Sequence, residues 1–368
     1  MNELQKRTWA EVTTANIKQN YEAIRHAIPE TCKFLGVVKA DAYGHGALKV
    51  SQILQECGAD YLAVSCLDEA LELRSGGISI PILILGHTPP EYTQDLIENH
   101  LTQTVANLAK AEEYSAEAVA LGKELTIHIK LDTGMSRLGF LMENAVDNIE
   151  AACRLPNLIH EGIYTHFSVS DEPGEENEAY TRNQFRKLID TIDELKDKGV
   201  TFEIRHCANS GAVVNYPEMC LDMVRPGLLL YGYGDGGKLG LKPCMRFVTT
   251  VSSIKYYEEG TAISYGRHYV TDQRTRIGIL AAGYADGLPR VSSGKCSFYV
   301  AGGYVPQRGS ICMDMCMADL TDVYDAAVGS EVELFGEHCD INLLAEAAGT
   351  ISYELLCSVT KRVPRIYC

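Results

Sequence analysis

Positive charge is scarce: 33 Lys and Arg stand against 49 Asp and Glu in 368 residues, a formal net charge of −16. That excludes nucleic acid as the main partner, because phosphate backbones are held by an excess of Lys and Arg. Long apolar runs are also missing. The longest, Ile78 to Leu85, contains Pro81 and falls well short of the ~18 residues a membrane helix needs. The opening MNELQKRTWAE has no apolar centre of a secretory signal, so a cytoplasmic location is expected. No low-complexity or Pro-rich stretch interrupts the chain. The 13 cysteines are odd in number and contain no CxxC pair. Only Cys312 and Cys316 sit close together, without a histidine beside them, so free thiols in a reducing compartment are expected, with neither a disulfide framework nor a metal site.

What is present is an apolar fraction of 46%, enough for a large core. At about 150 residues per domain, the length fits two domains, or a barrel of about 250 residues with an addition. Up to about residue 240, short apolar runs alternate with segments of helical length. Candidate strands are 34–38, 61–65, 80–85, 102–105, 126–131, 159–165, 202–206 and 221–224. The segment Thr14 to Ile28 carries apolar residues at helical spacing and is closed by Pro29. Apolar strands separated by helices require a parallel sheet covered on both faces, and eight such units favour a closed (β/α)8 barrel, class α/β, over 11–240. After Gly240 the texture changes to alternating segments such as FVTTVSSIKYY and TRIGILAAGY, separated by Gly, Asp and Ser turns. This reads as a mostly β domain over 241–368, with residues 1–10 joining it.

In such a barrel, chemistry gathers at the carboxyl ends of the strands. Lys39 follows strand 1, Asp132 and Arg137 follow strand 5, and His166 follows strand 6. Asn209 and Ser210 follow strand 7, and Arg225, Pro226 and Gly227 follow strand 8. A lysine directly after a buried strand can be partly desolvated, which lowers its pKa and frees the amine to form a Schiff base. Ser210 and the Gly227–Leu228 backbone lie where barrels commonly bind phosphate. An imine-forming lysine beside a phosphate site suggests pyridoxal phosphate, but a sugar-phosphate aldolase would show the same pair.

The segment VVKADAYGHG resembles the cofactor-lysine motif of alanine racemases. KLDTGMSRLGF, GIYTHFS, ANSGA, VRPGLLLYG, ISYGR, GYADGLPR, CMD and ISYELLC…RVPRIY are also similar to segments of that family, in the family order from Val37 to Tyr367. The resemblance implies a fold-type III enzyme that uses pyridoxal 5'-phosphate to interconvert L- and D-alanine, supplying D-alanine for peptidoglycan. It implies a barrel plus a β-rich domain, and a homodimer in which Tyr265, Met313 and Asp314 reach the barrel of the partner.

Racemisation needs a proton removed from one face of Cα and another returned to the opposite face. By the resemblance, Lys39 holds the cofactor and serves the D face, and Tyr265 serves the L face. A free tyrosine titrates near a pKa of about 10, so a tyrosine base needs a stabilising neighbour, which the resemblance makes His166 backed by Arg225. Arg225 would face the pyridine nitrogen. It can only donate there, so the ring nitrogen stays unprotonated and little leakage into transamination is expected. Carried over in the same way, the cofactor ligands are Tyr43, Asn209, Ser210, the Gly227 and Leu228 backbone, and Tyr353. Arg137 would hold the cofactor's phenolic oxygen close to the substrate carboxylate, which Met313 and Asp314 receive. Lys130 stands where many relatives carry a carbamylated lysine, and a carbamate anion could bridge to Arg137 where an ammonium would repel it.

One departure concerns RGSICMD, where Ser310 takes the place of an arginine that, with groups matching Asp171, Arg290 and Tyr353, lines the family's substrate entryway; Arg308 lies two places earlier. The nearest alternative is a serine racemase of the glycopeptide-resistance type, as an excised catalytic domain. A small pocket rejects one added hydroxyl only by about a hundredfold, so cofactor motifs do not separate the two. Tyr353 favours alanine. Pyridoxal-phosphate decarboxylases of the same barrel lack a match in their phosphate loop, and a non-catalytic cofactor carrier would lack ISYGR and CMD.

Overall fold

A computed structural model describes residues 7–368. The described residues divide into two compact units: Asn16–Ala42 with Ala47–Lys242, and 7–15 with Tyr43–Gly46 and Pro243–Cys368. Of the first ten residues, expected to join the β domain, 1–6 lie outside the described residues.

The larger unit is the expected parallel barrel. Its strands are, in order, Lys33–Val37, Tyr61–Val64, Ile82–Ile84, Leu101–Val105, Leu125–Asp132, Leu158–Tyr164, Ile204–His206 and Met223–Val224. Each pairs in parallel with its predecessor as far as the seventh, and the eighth pairs with the first. Backbone bonds from Asp222 N to Arg205 O (3.0 Å) and from Arg225 N to Ala208 O (2.9 Å) close the ring. The helices follow the sequence pattern closely. Thr14–Ala27 buries Ile17, Tyr21 and Ile24. In Leu108–Leu121 the Asn107 side chain accepts from Lys110 N at the start, and Gly122, at φ 61°, ends it, as a C-terminal glycine commonly does.

The fifth strand shows how the barrel is filled. In LTIHIKLD the polar residues Thr126, His128, Lys130 and Asp132 alternate with Leu125, Ile127, Ile129 and Leu131. A strand's side chains alternate in direction, so one sequence period sends the apolar set to one face and the polar set to the other.

The smaller unit is mostly β. Its main sheet runs Thr275–Leu280, Cys316–Asp319, Gly303–Arg308, Ser297–Val300, Glu331–Phe335, Met245–Tyr257, Thr8–Val12 and Arg365–Tyr367. The long strand Met245–Tyr257 also pairs with Thr275–Leu280, beyond a register shift between Val251 and Ser253. Such a shift lets one strand turn from one partner to another. Thr8–Val12 pairs antiparallel with Met245–Tyr257 and parallel with Arg365–Tyr367. The 13 cysteines are free thiols. No helix of the described residues is long and apolar enough to cross a membrane.

Candidate active site

Lys39 stands at the carboxyl end of the first barrel strand. Ala40, Asp41, Ala42 and Tyr43 follow at φ 53°, 55°, 53° and 52°, a left-handed turn made of residues with side chains. That conformation costs about 1–2 kcal/mol per residue and needs external support. The Glu69 carboxylate supplies part of it, accepting from Ala40 N (2.6 Å) and, with its other oxygen, from Ser65 N (2.7 Å). Asp41 Oδ1 accepts from Ala47 N (2.7 Å), and Ala42 N donates to Val38 O (2.8 Å). Glu69 carries no sequence signal, because it acts on backbone N–H groups that any sequence offers.

Around this strand end the barrel gathers cations. Lys130 is 6% exposed and Arg225 4%, and among the described residues Lys130, Arg137 and Arg225 form no ion pair with a carboxylate. Asp132, their neighbour, spends its carboxylate on the backbone of the loop that presents Arg137, accepting from Gly134 N (3.0 Å), Ser136 N (3.0 Å) and Arg137 N (3.1 Å). Burial, then Arg225 and Arg137, push the Lys130 amine well below the usual lysine range. Burial, then Arg225, Lys130, Arg137 and Lys39, push His166 well below the imidazole range. His166 is therefore neutral. Arg225 has only donors, so its Nη2 donates to His166 Nδ1 (3.3 Å), which leaves the proton of His166 on Nε2.

Arg225 also fixes a longer chain. Its Nη1 donates to His206 Nδ1 (2.9 Å); His206 Nε2 then donates to His128 Nδ1 (2.9 Å), and His128 Nε2 donates to Glu161 Oε2 (2.9 Å). Tyr61 OH donates to the same oxygen (2.8 Å). Each ring's tautomer is set by the donor before it. Arg225 Nη2 further donates to Thr165 O (2.8 Å) and Cys207 O (3.1 Å), and the guanidinium lies 5.1 Å from the Tyr164 ring centre. The sequence reading missed His128, His206, Glu161 and Tyr61 as supports of Arg225. The alternation on the fifth strand marked His128.

At the seventh and eighth strand ends, Ser210 Oγ accepts from Gly227 N (2.9 Å) and Leu229 N (3.3 Å). Ser210, Gly227 and Leu228 thus come together as expected from their order in the chain. The Asn209 carboxamide is used locally: its Oδ1 accepts from Ala212 N (3.1 Å) and Ser170 Oγ (2.6 Å), and its Nδ2 donates to Phe167 O (3.3 Å).

In the smaller unit, Tyr43 and Tyr353 stack at a tilt, ring centres 6.2 Å apart, and burial, then Tyr353, raise the Tyr43 phenol above its ordinary pKa. The glycines of VVKADAYGHG follow from the same packing. At Gly44 (φ 79°) a Cβ would lie 2.2 Å from Leu356 O, and at Gly46 (φ 93°) 1.9 Å from the Tyr367 hydroxyl. Tyr265 is 72% exposed and Met313 54%. A cavity of about 420 Å³ beside Tyr265 is lined by Tyr257, Ile263, Cys312, Met315 and Met317. The loop at Met313 is gripped by its backbone: Tyr284 N donates to Cys312 O (3.0 Å) and Ala285 N to Met313 O (3.0 Å). Asp314 Oδ1 accepts from Arg362 Nη1 (2.8 Å), while Arg362 Nε and Arg7 Nη1 hold the buried Asp286 (2.8 and 2.7 Å). Arg308 is engaged within its own unit. It lies 4.8 Å from the Tyr269 ring centre and 3.8 Å from Asp319 Oδ2. Asp171 and Arg290 are exposed, each on its own unit.

Two family models match: the alanine racemase N-terminal domain over residues 12–235 and the alanine racemase C-terminal domain over 244–367. The chain is similar to the alanine racemase of Clostridium perfringens (43% identity, covering 98% of this chain and 95% of the relative) and to that of Clostridium novyi (44%, 98% and 95%). Among solved structures, it is similar to the alanine racemase of Clostridium difficile 630 (TM-score 0.93, 37% identity, covering 100% of this chain and 97% of the other). It is also similar to the alanine racemase of Bacillus anthracis with bound L-Ala-P (TM-score 0.91, 34%, 99% and 96%).

Proposed function

The chain belongs to the alanine racemase family, and from that premise we propose that it interconverts L- and D-alanine with Lys39 and Tyr265 as its two bases. The observation that carries this reading is the group of cations at the barrel strand ends. Lys39, Lys130, Arg137 and Arg225 all act on His166, in a chain of net charge −16. Lys130 and Arg225 are buried and form no ion pair with a carboxylate among the described residues, so they call for anionic ligands, and a phosphorylated cofactor together with an amino-acid carboxylate supplies them.

The donor set fits pyridoxal 5'-phosphate. Ser210 with the Gly227 and Leu228 backbone, Tyr43 and Tyr353 would hold the phosphate, Arg137 the phenolic oxygen and Arg225 the ring nitrogen. The cofactor, when bound, supplies an electron-withdrawing ring that makes the α-proton removable. Lys39 takes or returns that proton on the D side and Tyr265 on the L side. His166 is neutral, so its Nε2–H can hydrogen-bond to the Tyr265 phenolate, favouring the ionised form of that base. Arg225 keeps its protons, which limits leakage into transamination. Met313 and Asp314 receive the substrate carboxylate. The exposed apolar face around Tyr265 and Met313 supports a homodimer in which these residues serve the partner's barrel. The bacterial cytoplasm is the proposed location. The serine-racemase reading is not favoured, since the curated relatives are named alanine racemases.

Purified protein is expected to show a visible absorption band that borohydride removes, and to abolish the optical rotation of L-alanine. A band without loss of rotation would support a cofactor carrier instead. We further propose that Lys130 is carbamylated. Its depressed pKa raises the share of neutral amine that can attack carbon dioxide, and Arg137 and Arg225 would then stabilise the carbamate. Native mass spectrometry in bicarbonate buffer is expected to show one extra carbon dioxide per chain, lost in Lys130→Ala; a bare lysine in wild type rules it out.

A further inference from the structure

Tyr265 sits on a turn that the backbone resists. Ser264 lies at φ 66° and ψ −176°, a region otherwise kept to glycine. Gly266 and Arg267 follow at φ 75° and 54°. Across the turn, the bond from Arg267 N to Ser264 O is long, at 3.4 Å. What holds it comes from the loop ahead of Cys312. Ser264 Oγ donates to Ser310 O (2.7 Å), and Ser310 Oγ donates to Tyr265 O (2.9 Å). The two bonds run in opposite directions and fix the backbone immediately before Tyr265 and at Tyr265 itself. Gly309 permits the approach: a Cβ there would lie 2.7 Å from Ile263 O and 2.9 Å from Ser264 Cβ. Ser310 is 5% exposed, so its hydroxyl serves this bond and not the solvent.

We propose that Ser310 is a positioning residue for Tyr265: with Ser264 it forms a two-hydroxyl clamp that aims the phenol of the L-face base. The proposal rests on the reading of Tyr265 as that base. A base must sit within hydrogen-bond reach of its proton, and a displacement of about 1 Å can cost a hundredfold in rate. In place of an entryway charge, this chain has a tie on the catalytic turn.

The test uses Ser310→Ala holoenzyme and alanine deuterated at Cα. The enantiomers' equilibrium is a property of alanine alone, so kcat/KM must fall by the same factor in both directions, about tenfold for a loosened base. The isotope effects separate the faces. Slowing only the Tyr265 step raises the primary isotope effect on deuterated L-alanine and lowers that on deuterated D-alanine. Backbone hydrogen exchange over 262–268 is expected to rise, and Ser310→Thr, which keeps the hydroxyl, is expected to restore both isotope effects. Should Ser310→Ala not fold, Ser264→Ala carries the same expectation through the other hydroxyl. Isotope effects that stay fixed, or that move together on the two enantiomers, overturn the clamp. Racemisation persisting in Tyr265→Phe would overturn the base assignment itself.

Discussion

Tyr265→Phe is expected to lower alanine racemisation roughly a thousandfold, within the range that loss of a general acid or base produces, while leaving the visible cofactor band in place. The change removes one hydroxyl from a side chain 72% exposed in its own unit, so folding stability is not at issue and melting temperature should not move. Lys39→Ala is expected to be at least as inactive and to lose the borohydride-sensitive band. The informative sample is the mixture. If Tyr265 serves the partner's barrel, a heterodimer of the two variants contains one site with both bases and one with neither. Equal mixing with free subunit exchange would then return about a quarter of the wild-type rate. A mixture as inactive as its parents would mean that each site is built from one chain, and the shared-site reading would fail.

The two proposed bases share a structural feature. Lys39 opens a left-handed turn over residues 40–43, and Tyr265 sits in one with positive φ at 264, 266 and 267. Each turn is held by side chains aimed at backbone groups: Glu69 and Asp41 at the first, Ser264 and Ser310 at the second. Strained backbone persists only where its surroundings over-determine it. Of these supports, Glu69 lies outside every segment that carries the family resemblance.

This contrast explains what was legible in the sequence. All eight barrel strands could be read, because short β-type segments, apolar throughout or alternating, recur between segments of helical length, and the strand-end rule then placed Lys39, Arg137, His166, Ser210 and Arg225 together. Resemblance alone supplied Tyr265 and Met313, since nothing in the alternation of ISYGR or CMD distinguishes them from other loop residues. The roles of the supports were illegible for two reasons. Glu69, Asp132 and Ser310 act on N–H and C=O groups, which leave no trace in residue types. Tyr61, His128, Glu161 and His206 meet only because the fifth strand lies beside the sixth and the ring closes. The pairing that brings them together is a property of the barrel. Gly162 shows the point: a Cβ there would lie 2.6 Å from His128 Cε1, so a glycine in the middle of an apolar strand records a ring on its neighbour.

Gly283→Ala is the second large effect expected. Gly283 has no positive φ to protect; what it provides is space. A Cβ at this position would stand 2.3 Å from Cys312 O and 2.4 Å from Met313 O, closer than any non-bonded carbon and oxygen tolerate, and both obstacles are backbone that no rotamer change can move. The neighbouring bonds, Tyr284 N to Cys312 O and Ala285 N to Met313 O, pull the same two carbonyls inward, so relief must come by pushing the Met313–Asp314 loop outward. That loop is the proposed seat of the substrate carboxylate. Overpacking of this kind costs about 1–3 kcal/mol of stability, and a seat displaced by about 1 Å costs on the order of a hundredfold in kcat/KM. The loss is expected mainly as a raised KM for alanine, because the carboxylate is held before and during proton transfer alike. Cofactor absorption, which depends on the bond to Lys39, should be unchanged. Gly237→Ala, whose added methyl meets nothing within 4 Å, serves as the control. A wild-type KM in Gly283→Ala would mean that the Met313–Asp314 loop does not receive the carboxylate, and Arg137 alone would then have to hold it.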